Sequence, residues 1–305
     1  MKNPLLVVIA GPTAVGKTAL SIRLATTYQT EILSADSRQF YREMEIGTAK
    51  PDQDELEAVP HHFINSHSVE EEYDAGQFAE DADALLQRLF EAHDVVFVVG
   101  GSGLYIKALC EGLDEMPAVP AGIRETLREE LETVGLEVLL AELEEADPVY
   151  YAQVDRHNHQ RVIRALEVIR ATGRPFSSHR QAKPKRQRSY DVLKIGIHED
   201  RKTLYQRIDD RMDVMIAEGL FDEAEALYPH RTLNALQTVG YREIFGYLDG
   251  AYDRAEAVRL LKRNSRRYAK RQMTWFSRDD EFHWFERGEV AAIQTLIDEK
   301  IKASE

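Results

Sequence analysis

The chain has 305 residues, of which 43% are hydrophobic and 30% charged, and its formal net charge is −14. These values indicate a soluble globular protein long enough for two domains. No apolar stretch approaches the length of a membrane span, and the first residues lack the features of a signal peptide. The single cysteine, Cys110, excludes an internal disulfide and a cysteine-based zinc site, so we expect a reducing, cytoplasmic location.

The positive charges are concentrated in two blocks. Residues 156–188 contain ten Lys or Arg against one acid, Glu167, and residues 259–278 contain eight and no acid. Ordinary solvated helix faces are the alternative explanation. Because the two blocks contain almost no acidic residues while the rest of the chain is acidic, we favour binding of an anionic partner at these blocks.

A phosphate-binding loop opens the chain. Residues 11–18 read Gly-Pro-Thr-Ala-Val-Gly-Lys-Thr, the pattern by which ATP- and other nucleotide-binding proteins hold phosphates. An apolar run at 5–10 predicts a buried strand before the loop, and apolar residues at helical spacing follow Lys17. Loop N–H groups and the helix N-terminus would bind phosphate oxygens, Lys17 would neutralise the outer phosphate, and Thr18 would hold Mg²⁺. The pattern leaves open whether the phosphate is transferred, hydrolysed or released.

A short second strand is predicted at residues 31–34, and Asp36 follows it. Ligands of open α/β sheets bind beyond the carboxyl ends of the strands, so Asp36 should share a rim with the phosphate loop. A carboxylate there can accept a proton from an attacking nucleophile. The alternative is that Asp36 or Ser37 caps a helix.

The segment after Asp36 contains loop signals. Lys50 either reaches the phosphate rim or is an ordinary surface lysine. His61 and His62 are predicted to be loop residues that form hydrogen bonds, because they lack the spaced partners of a metal site.

An amphipathic helix is predicted at residues 74–93, followed by a buried strand at 95–99 that ends in Gly100-Gly101-Ser102-Gly103. A hydrolytic P-loop ATPase usually places an Asp near the end of such a strand, so its absence counts against a motor-type ATPase. Ser102 either donates its hydroxyl to a phosphate oxygen or simply belongs to a tight turn.

A helical insertion is predicted to interrupt the sheet. Pro117 and Pro120 mark its start, three helical stretches follow, and strand character returns only near Tyr190. We therefore predict a core formed by 1–117 and 189–305, with a helical domain at 118–188 that acts as a lid or clamp.

The last third of the chain contains two charged helices. The first, at 200–218, includes Arg207 and Arg211, either of which is a candidate to close over phosphates. The second, at 253–273, is long and basic, and a final strand is predicted at 281–285.

Taken together, these stretches resemble the tRNA dimethylallyltransferases, also called tRNA isopentenyltransferases. The resemblance covers nearly the whole chain and is carried by ordered blocks at residues 11–18, 34–39, 47–51, 60–62, 100–105, 158–161, 164–168, 239–241 and 266–272. The family usually has Thr where this chain has Ser102, which keeps the hydroxyl. The resemblance implies an α/β fold with a P-loop nucleoside triphosphate hydrolase-like core, a parallel sheet and an inserted all-helical domain. It also implies the bacterial form, a cytoplasmic monomer that is not membrane-bound.

The family transfers a dimethylallyl group from dimethylallyl diphosphate to N6 of the adenosine 3′-adjacent to the anticodon of tRNA. The resemblance therefore implies Mg²⁺ as cofactor and Lys17, Asp36 and Ser102 as catalytic residues. The implied diphosphate site comprises Gly11, Pro12, Thr13, Ala14, Val15, Gly16, Lys17 and Thr18, with Arg211 preferred over Arg207. The implied tRNA-binding residues are Asp36, Ser37, Arg38, Gln39, Ser102, Arg124, Gln160, Arg161, Val162, Ile163, Arg164, Gln237, Thr238, Val239, Gly240, Tyr241 and Arg242.

Two other functions fit part of the pattern. A small-molecule or nucleotide kinase explains the phosphate loop and Asp36 equally well, but a small acceptor requires neither the basic blocks nor the insertion. An RNA-binding module with a nucleotide as a structural switch explains the basic blocks, but gives no role to a carboxylate on the phosphate rim.

Overall fold

The computed structural model describes residues 3–114, 116–180 and 188–303. The chain divides into two compact units. We call Met1–Gly112 together with Gln187–Glu305 the core unit, and Leu113–Arg186 the helical unit. No helix in the described ranges is both long and apolar enough to cross a bilayer.

The core unit contains a six-stranded sheet in the order β3-β2-β4-β1-β5-β6. All of its strand pairs are parallel, which confirms the predicted α/β class with a parallel sheet. The strands are β1 (Leu5–Ala10), β2 (Ile32–Ser34), β3 (His61–His62), β4 (Val95–Gly100), β5 (Asp191–His198) and β6 (Phe282–Glu286).

The helices found in the described residues are α1 (Lys17–Tyr28), α2 (Gln53–Ala58), α3 (Ala75–Leu89), α4 (Gly103–Glu111), α5 (Ala121–Thr133), α6 (Leu136–Ala146), α7 (Pro148–Tyr151), α8 (His159–Thr172), α9 (Arg201–Ala217), α10 (Leu220–Leu227), α11 (Tyr241–Leu248), α12 (Arg254–Phe276) and α13 (Val290–Ala303). Helices α5–α8 form the helical unit, and the others belong to the core unit.

The central strands are buried on both faces. Along β1, alternate side chains enter two separate hydrophobic clusters: Leu6 and Val8 lie in one, and Val7 and Ile9 in the other. This explains why β1 and β4 are continuous apolar runs, since parallel strands covered by helices on both sides have no polar face.

The helical unit has a hydrophobic cluster of its own. It includes Leu127 of α5, Leu143 of α6 and Leu166 of α8, all fully buried. The buried acid Asp147 is satisfied within the unit. Asp147 accepts hydrogen bonds from Tyr150 N and from the backbone and hydroxyl of Ser177.

Two local predictions are wrong. His61 and His62 form the edge strand β3 rather than a loop, although they do form hydrogen bonds, His62 to Glu31 at 2.6 Å. Helix α12 continues through Trp275 to Phe276 instead of ending at Met273, because burial of Phe276 stabilises an additional turn.

The carboxyl ends of β2 and β4 approach each other at Gly100. A Cβ at this position would lie 2.1 Å from the carbonyl oxygen of Ala35. We expect Gly100→Ala to lower the free energy of unfolding by about 1–3 kcal/mol, because backbone on both sides prevents relaxation. Thermal melting followed by circular dichroism measures this. Gly288→Ala is the matched control, since a Cβ there meets nothing within 4 Å. Equal melting of Gly100→Ala and the wild type would contradict the close approach.

Candidate active site at the carboxyl edge of the sheet

The phosphate loop connects β1 to α1, as the sequence predicts. Its two glycines are required by local geometry. A Cβ at Gly11 would lie 2.5 Å from the carbonyl oxygen of Ile197, and Gly16 caps α1 with a φ of 99° in the left-handed region. The loop therefore holds its backbone tightly against β5 at the N-terminus of a helix, where anions bind.

Lys17 lies across this loop. Its Nζ donates hydrogen bonds to the carbonyl oxygens of Gly11 at 3.0 Å and Pro12 at 2.9 Å. Burial lowers the pKa of Lys17 to about 8; the carboxylate of Asp36 opposes this shift, and the guanidinium of Arg211 adds to it. Lys17 thus carries a charge that is sensitive to pH just above neutrality.

Asp36 lies at the end of β2, next to the end of β4. Its Oδ1 accepts a hydrogen bond from Arg38 N at 2.9 Å, and Ser37 N donates to Ser102 Oγ at 2.8 Å. Ser102 itself is buried at the N-terminus of α4. Because β2 and β4 are neighbours in the sheet, Asp36 and Ser102 lie close together despite their separation along the chain.

A cavity of about 430 Å³ unites these groups, and we call it the edge cavity. All of its lining residues belong to the core unit. They come from the phosphate loop, from Asp36, Arg38 and Gln39, and from five further groups: residues 47–49, 99–101 and 238–240, and the helices α9 and α12. The structure therefore brings Lys17, Thr18 and Asp36 to one cavity.

Both candidate arginines of α9 line the edge cavity. Arg207 Nε donates to the carbonyl oxygen of Ala14 at 2.9 Å, which ties α9 to the phosphate loop. Arg211 lies near Asp36: burial lowers its pKa and the carboxylate opposes that shift. The cavity is thus lined by four cationic residues, Lys17, Arg38, Arg207 and Arg211, and by two acids, Asp36 and Asp210.

Sequence reasoning gave no role in the site to Gln272 and Tyr268, two of the three residues of α12 that line the cavity. Gln272 accepts a hydrogen bond from Thr13 N at 2.9 Å and donates to the carbonyl oxygen of Gly101 at 3.0 Å, so it joins the phosphate loop to the end of β4. Tyr268, one turn earlier, faces Ser102 and Asp36; burial raises its pKa to about 12. Both lie in the block 266–272 that carries the family resemblance, which was the available signal.

The other predicted tRNA-binding residues of the core unit have mixed environments. Arg38, Thr238, Val239 and Gly240 line the edge cavity, whereas Gln237 and Arg242 are exposed. Tyr241 is fully buried, and its hydroxyl donates to Glu223 at 2.6 Å. Its side chain therefore supports the cavity from behind.

Gln39 is held at both ends of its amide group. It accepts a hydrogen bond from Ser34 Oγ at 2.9 Å and donates to the carbonyl oxygens of Thr48 and Ala49. In this structure its amide group orients the loop that follows residue 45.

In the helical unit, the predicted tRNA-binding residues also differ in exposure. Gln160 and Arg161 are exposed on α8, but Val162 and Ile163 are buried in the hydrophobic cluster. Their side chains are used for packing.

Arg124 and Arg164 flank the buried Glu167, at 2.6 Å and 3.0 Å. Burial alone would raise the pKa of Glu167, yet hydrogen bonds from the two arginines lower it below its usual value. This pairing positions both guanidinium groups.

Lys50 is neither a residue of the phosphate rim nor an ordinary surface lysine. Its side chain is buried, and its Nζ donates to the carbonyl oxygen of Tyr41 at 2.8 Å and to Asn65 Oδ1 at 2.5 Å. It therefore stabilises the loop between β2 and β3, away from the phosphate-binding residues.

In the part of the chain that the structure describes, no group of three or more His, Cys, Asp or Glu side chains is placed to hold a metal ion. Mg²⁺ sites commonly combine one or two protein oxygen ligands with the phosphates of a substrate. Thr18, which lines the edge cavity, would supply a hydroxyl ligand to such a site.

Residues 39–279 match a family model described as IPP transferase. The chain belongs to this family. It is 51% identical to a tRNA dimethylallyltransferase of Cytophaga hutchinsonii over 98% of both chains, and 46% identical to tRNA dimethylallyltransferase 1 of Bacteroides fragilis over 97% of this chain and 98% of that one.

Solved structures of IPP transferase relatives agree with this assignment. The full-length tRNA isopentenylpyrophosphate transferase of Bacillus halodurans superposes with a TM-score of 0.73 at 38% identity, covering 98% of this chain and 97% of that chain. A eukaryotic dimethylallyltransferase acting on tRNA gives a TM-score of 0.77 at 26% identity, covering 94% of this chain and 75% of that chain.

The bridge made by Gln272 leads to a testable expectation for anion binding. In Gln272→Glu the donor to Gly101 is lost and a negative charge is placed beside the phosphate loop, so inorganic diphosphate should bind about tenfold more weakly or worse. Isothermal titration calorimetry measures the affinity. Gln87→Glu, which adds the same charge on the exposed face of α3, should bind diphosphate like the wild type. Equal affinities for the two variants would refute the role of Gln272.

Proposed function

We propose that this chain transfers the dimethylallyl group of dimethylallyl diphosphate to N6 of the adenosine 3′-adjacent to the anticodon in tRNA, in the cytoplasm. The observation that carries the proposal is the edge cavity, which the phosphate loop and the carboxylate of Asp36 line together. The substrates proposed here are those of the relatives. In the cavity, the phosphate loop would act on the departing diphosphate, and Asp36 would act on the attacking amine.

The first half is departure of the diphosphate. As the bond between C1 of the dimethylallyl group and the bridging oxygen breaks, its electron pair moves to the diphosphate and negative charge grows there. Lys17, Arg211 and the N–H groups of the phosphate loop lie where they stabilise this charge in a partly dehydrated site. When bound, Mg²⁺ held by Thr18 would supply further neutralisation of the leaving group.

The second half is attack by N6 of adenine. The nitrogen forms the new bond to C1, and the proton that it loses is transferred to the carboxylate of Asp36. Arg38 N donates a hydrogen bond to Oδ1 of that carboxylate, and Tyr268 lines the cavity near Asp36 and in contact with Ser102. A base in a stacked anticodon loop must be extruded to reach this position.

The basic residues of α12 are used in two ways. Arg259, Lys262 and Arg266 pair with Glu256, Asp213 and Asp209. By contrast, Arg267, Lys270 and Arg271 are exposed, and we assign contacts with RNA phosphates to them, together with Gln160 and Arg161 of α8. Among the basic residues of α12, the three exposed ones should contribute most to the salt dependence of tRNA binding.

The role of Asp36 is tested by an isosteric change. Asp36→Asn keeps an acceptor for Arg38 N but cannot take a proton, so single-turnover prenylation should fall by about 10²–10⁴-fold while RNA affinity changes little. Mass analysis of an anticodon stem-loop RNA after incubation with Mg²⁺ and dimethylallyl diphosphate measures the rate. Asp52→Asn, at the exposed N-cap of α2, is the control. Normal chemistry in Asp36→Asn, or loss of RNA binding as its main effect, would refute the assignment.

The pKa of Lys17 predicts a pH dependence. Lys17 attracts the diphosphate only when protonated, and its pKa in the free protein is about 8. The charged fraction therefore falls as pH rises, and kcat/KM for dimethylallyl diphosphate should decrease about tenfold per pH unit well above pH 8. The substrate does not confound this, because phosphate monoesters complete their ionisation near about pH 6.

Lys17→Arg is the control for this pH dependence, since a guanidinium stays charged throughout this range. Its activity should be lower but independent of pH between about 7 and 9.5. A flat profile in the wild type over the same range would show that the charge of Lys17 does not govern substrate binding.

A further inference from the structure

The wall that α9 contributes to the edge cavity changes character along the helix. The cavity-lining residues are, in chain order, Arg207, Ile208, Asp210, Arg211, Met212 and Met215. Apart from Ile208, the lining residues at 207–211 are charged, two arginines among them, and the stretch ends in the two methionines. At 1.5 Å per residue, positions 207 and 215 are about 12 Å apart along the axis. This matches the polarity and approximate length of a short prenyl diphosphate lying along α9 with its diphosphate toward the phosphate loop.

The far end of this wall meets the turn Ile46–Thr48. Gly219, one turn beyond Met215, approaches this turn: a Cβ there would lie 3.9 Å from Cδ1 of Ile46. Gly47, Thr48 and Ala49 line the same cavity as Met215. Met215 is therefore the last residue of α9 in the cavity wall, and it lies one turn before Gly219, which approaches the turn.

The turn itself is held rigidly by Glu223 of α10. The carboxylate accepts hydrogen bonds from the backbone N–H groups of Glu45 at 2.9 Å, Ile46 at 2.7 Å and Gly47 at 2.9 Å, and from the hydroxyl of Tyr241 at 2.6 Å.

The ring of Tyr241 closes the other side of the turn, since a Cβ on Gly47 would lie 2.5 Å from it. Gln39 holds the carbonyl oxygens of Thr48 and Ala49. Backbone fixed at this many points cannot retreat from a longer substrate.

Met215 is the adjustable part of this end of the cavity. Its side chain is largely buried, unbranched and flexible, and it packs in the same hydrophobic cluster as Tyr241. Resting on the function proposed above, we propose that Met215, closing the cavity against the turn held by Glu223, limits the transferred group to five carbons. The ten-carbon geranyl group would need the volume that the Met215 side chain occupies.

Truncation of Met215 should admit the longer donor. Wild type, Met215→Ala and Val214→Ala are each incubated with Mg²⁺, an anticodon stem-loop RNA and either dimethylallyl or geranyl diphosphate, and initial rates are measured by mass analysis of the RNA. The reaction with geranyl diphosphate breaks and forms the same bonds as the reaction with dimethylallyl diphosphate. The C1–O bond of the donor breaks, the bond between N6 of adenine and C1 forms, the N6 proton goes to Asp36, and diphosphate leaves. We expect the ratio of geranyl to dimethylallyl kcat/KM to rise at least about tenfold in Met215→Ala.

Val214→Ala is the matched control, because Val214 is 54% exposed on the same helix. Val214→Ala should keep the wild-type ratio of geranyl to dimethylallyl kcat/KM. Inorganic diphosphate should bind all three proteins equally, because a variant that had lost its structure would bind it more weakly. Met215→Phe provides a second test that does not depend on a truncated core: the larger ring should raise KM for dimethylallyl diphosphate and leave affinity for inorganic diphosphate unchanged.

The outcomes separate the two proposals. A wild type that transfers neither group contradicts the proposed function. A wild type that transfers dimethylallyl, with the same donor ratio in Met215→Ala and an unchanged KM in Met215→Phe, overturns the assignment of Met215 alone.

Discussion

The site depends on the contact between the carboxyl ends of β2 and β4. Gly100 lies against the carbonyl of Ala35, and Ser37 N donates to Ser102 Oγ at 2.8 Å, so the two strand ends are locked together next to the phosphate loop. A side chain at position 100 would separate them. The same parallel arrangement that buries β1 and β4 on both faces leaves this edge as the place where polar groups converge.

Electrostatics then define what the edge cavity can bind. Four cationic residues, Lys17, Arg38, Arg207 and Arg211, line one cavity with the two acids Asp36 and Asp210. Burial lowers the pKa of both Lys17 and Arg211. Placing like charges together in a partly dehydrated site is costly, and a diphosphate with several negative charges offsets that cost. In the proposed reaction, loss of the diphosphate needs cationic groups and removal of a proton needs a carboxylate, and both kinds of group line the same cavity.

Several features of the fold were accessible from sequence because they depend on neighbours along the chain. The apolar runs of β1 and β4, the loop at residues 11–18 and the start of α3 at Asp74 all follow from local pattern, and the family assignment followed from ordered blocks. Local pattern failed where packing decided the result. It placed His61 and His62 in a loop, but pairing with β2 makes them an edge strand, and it ended α12 before Phe276, whose burial extends the helix.

The sequence by itself determined the phosphate loop, the parallel α/β class and the family, because each is encoded in residues that lie next to one another. Only the tertiary structure decided which distant side chains complete the cavity. Thr13 and Gln272 are 259 residues apart and share a hydrogen bond of 2.9 Å. Tyr268, Met215 and Glu223 likewise reach the site only through the packing of α9, α10 and α12 against the sheet. No periodicity encodes such contacts, since they arise from how whole elements pack.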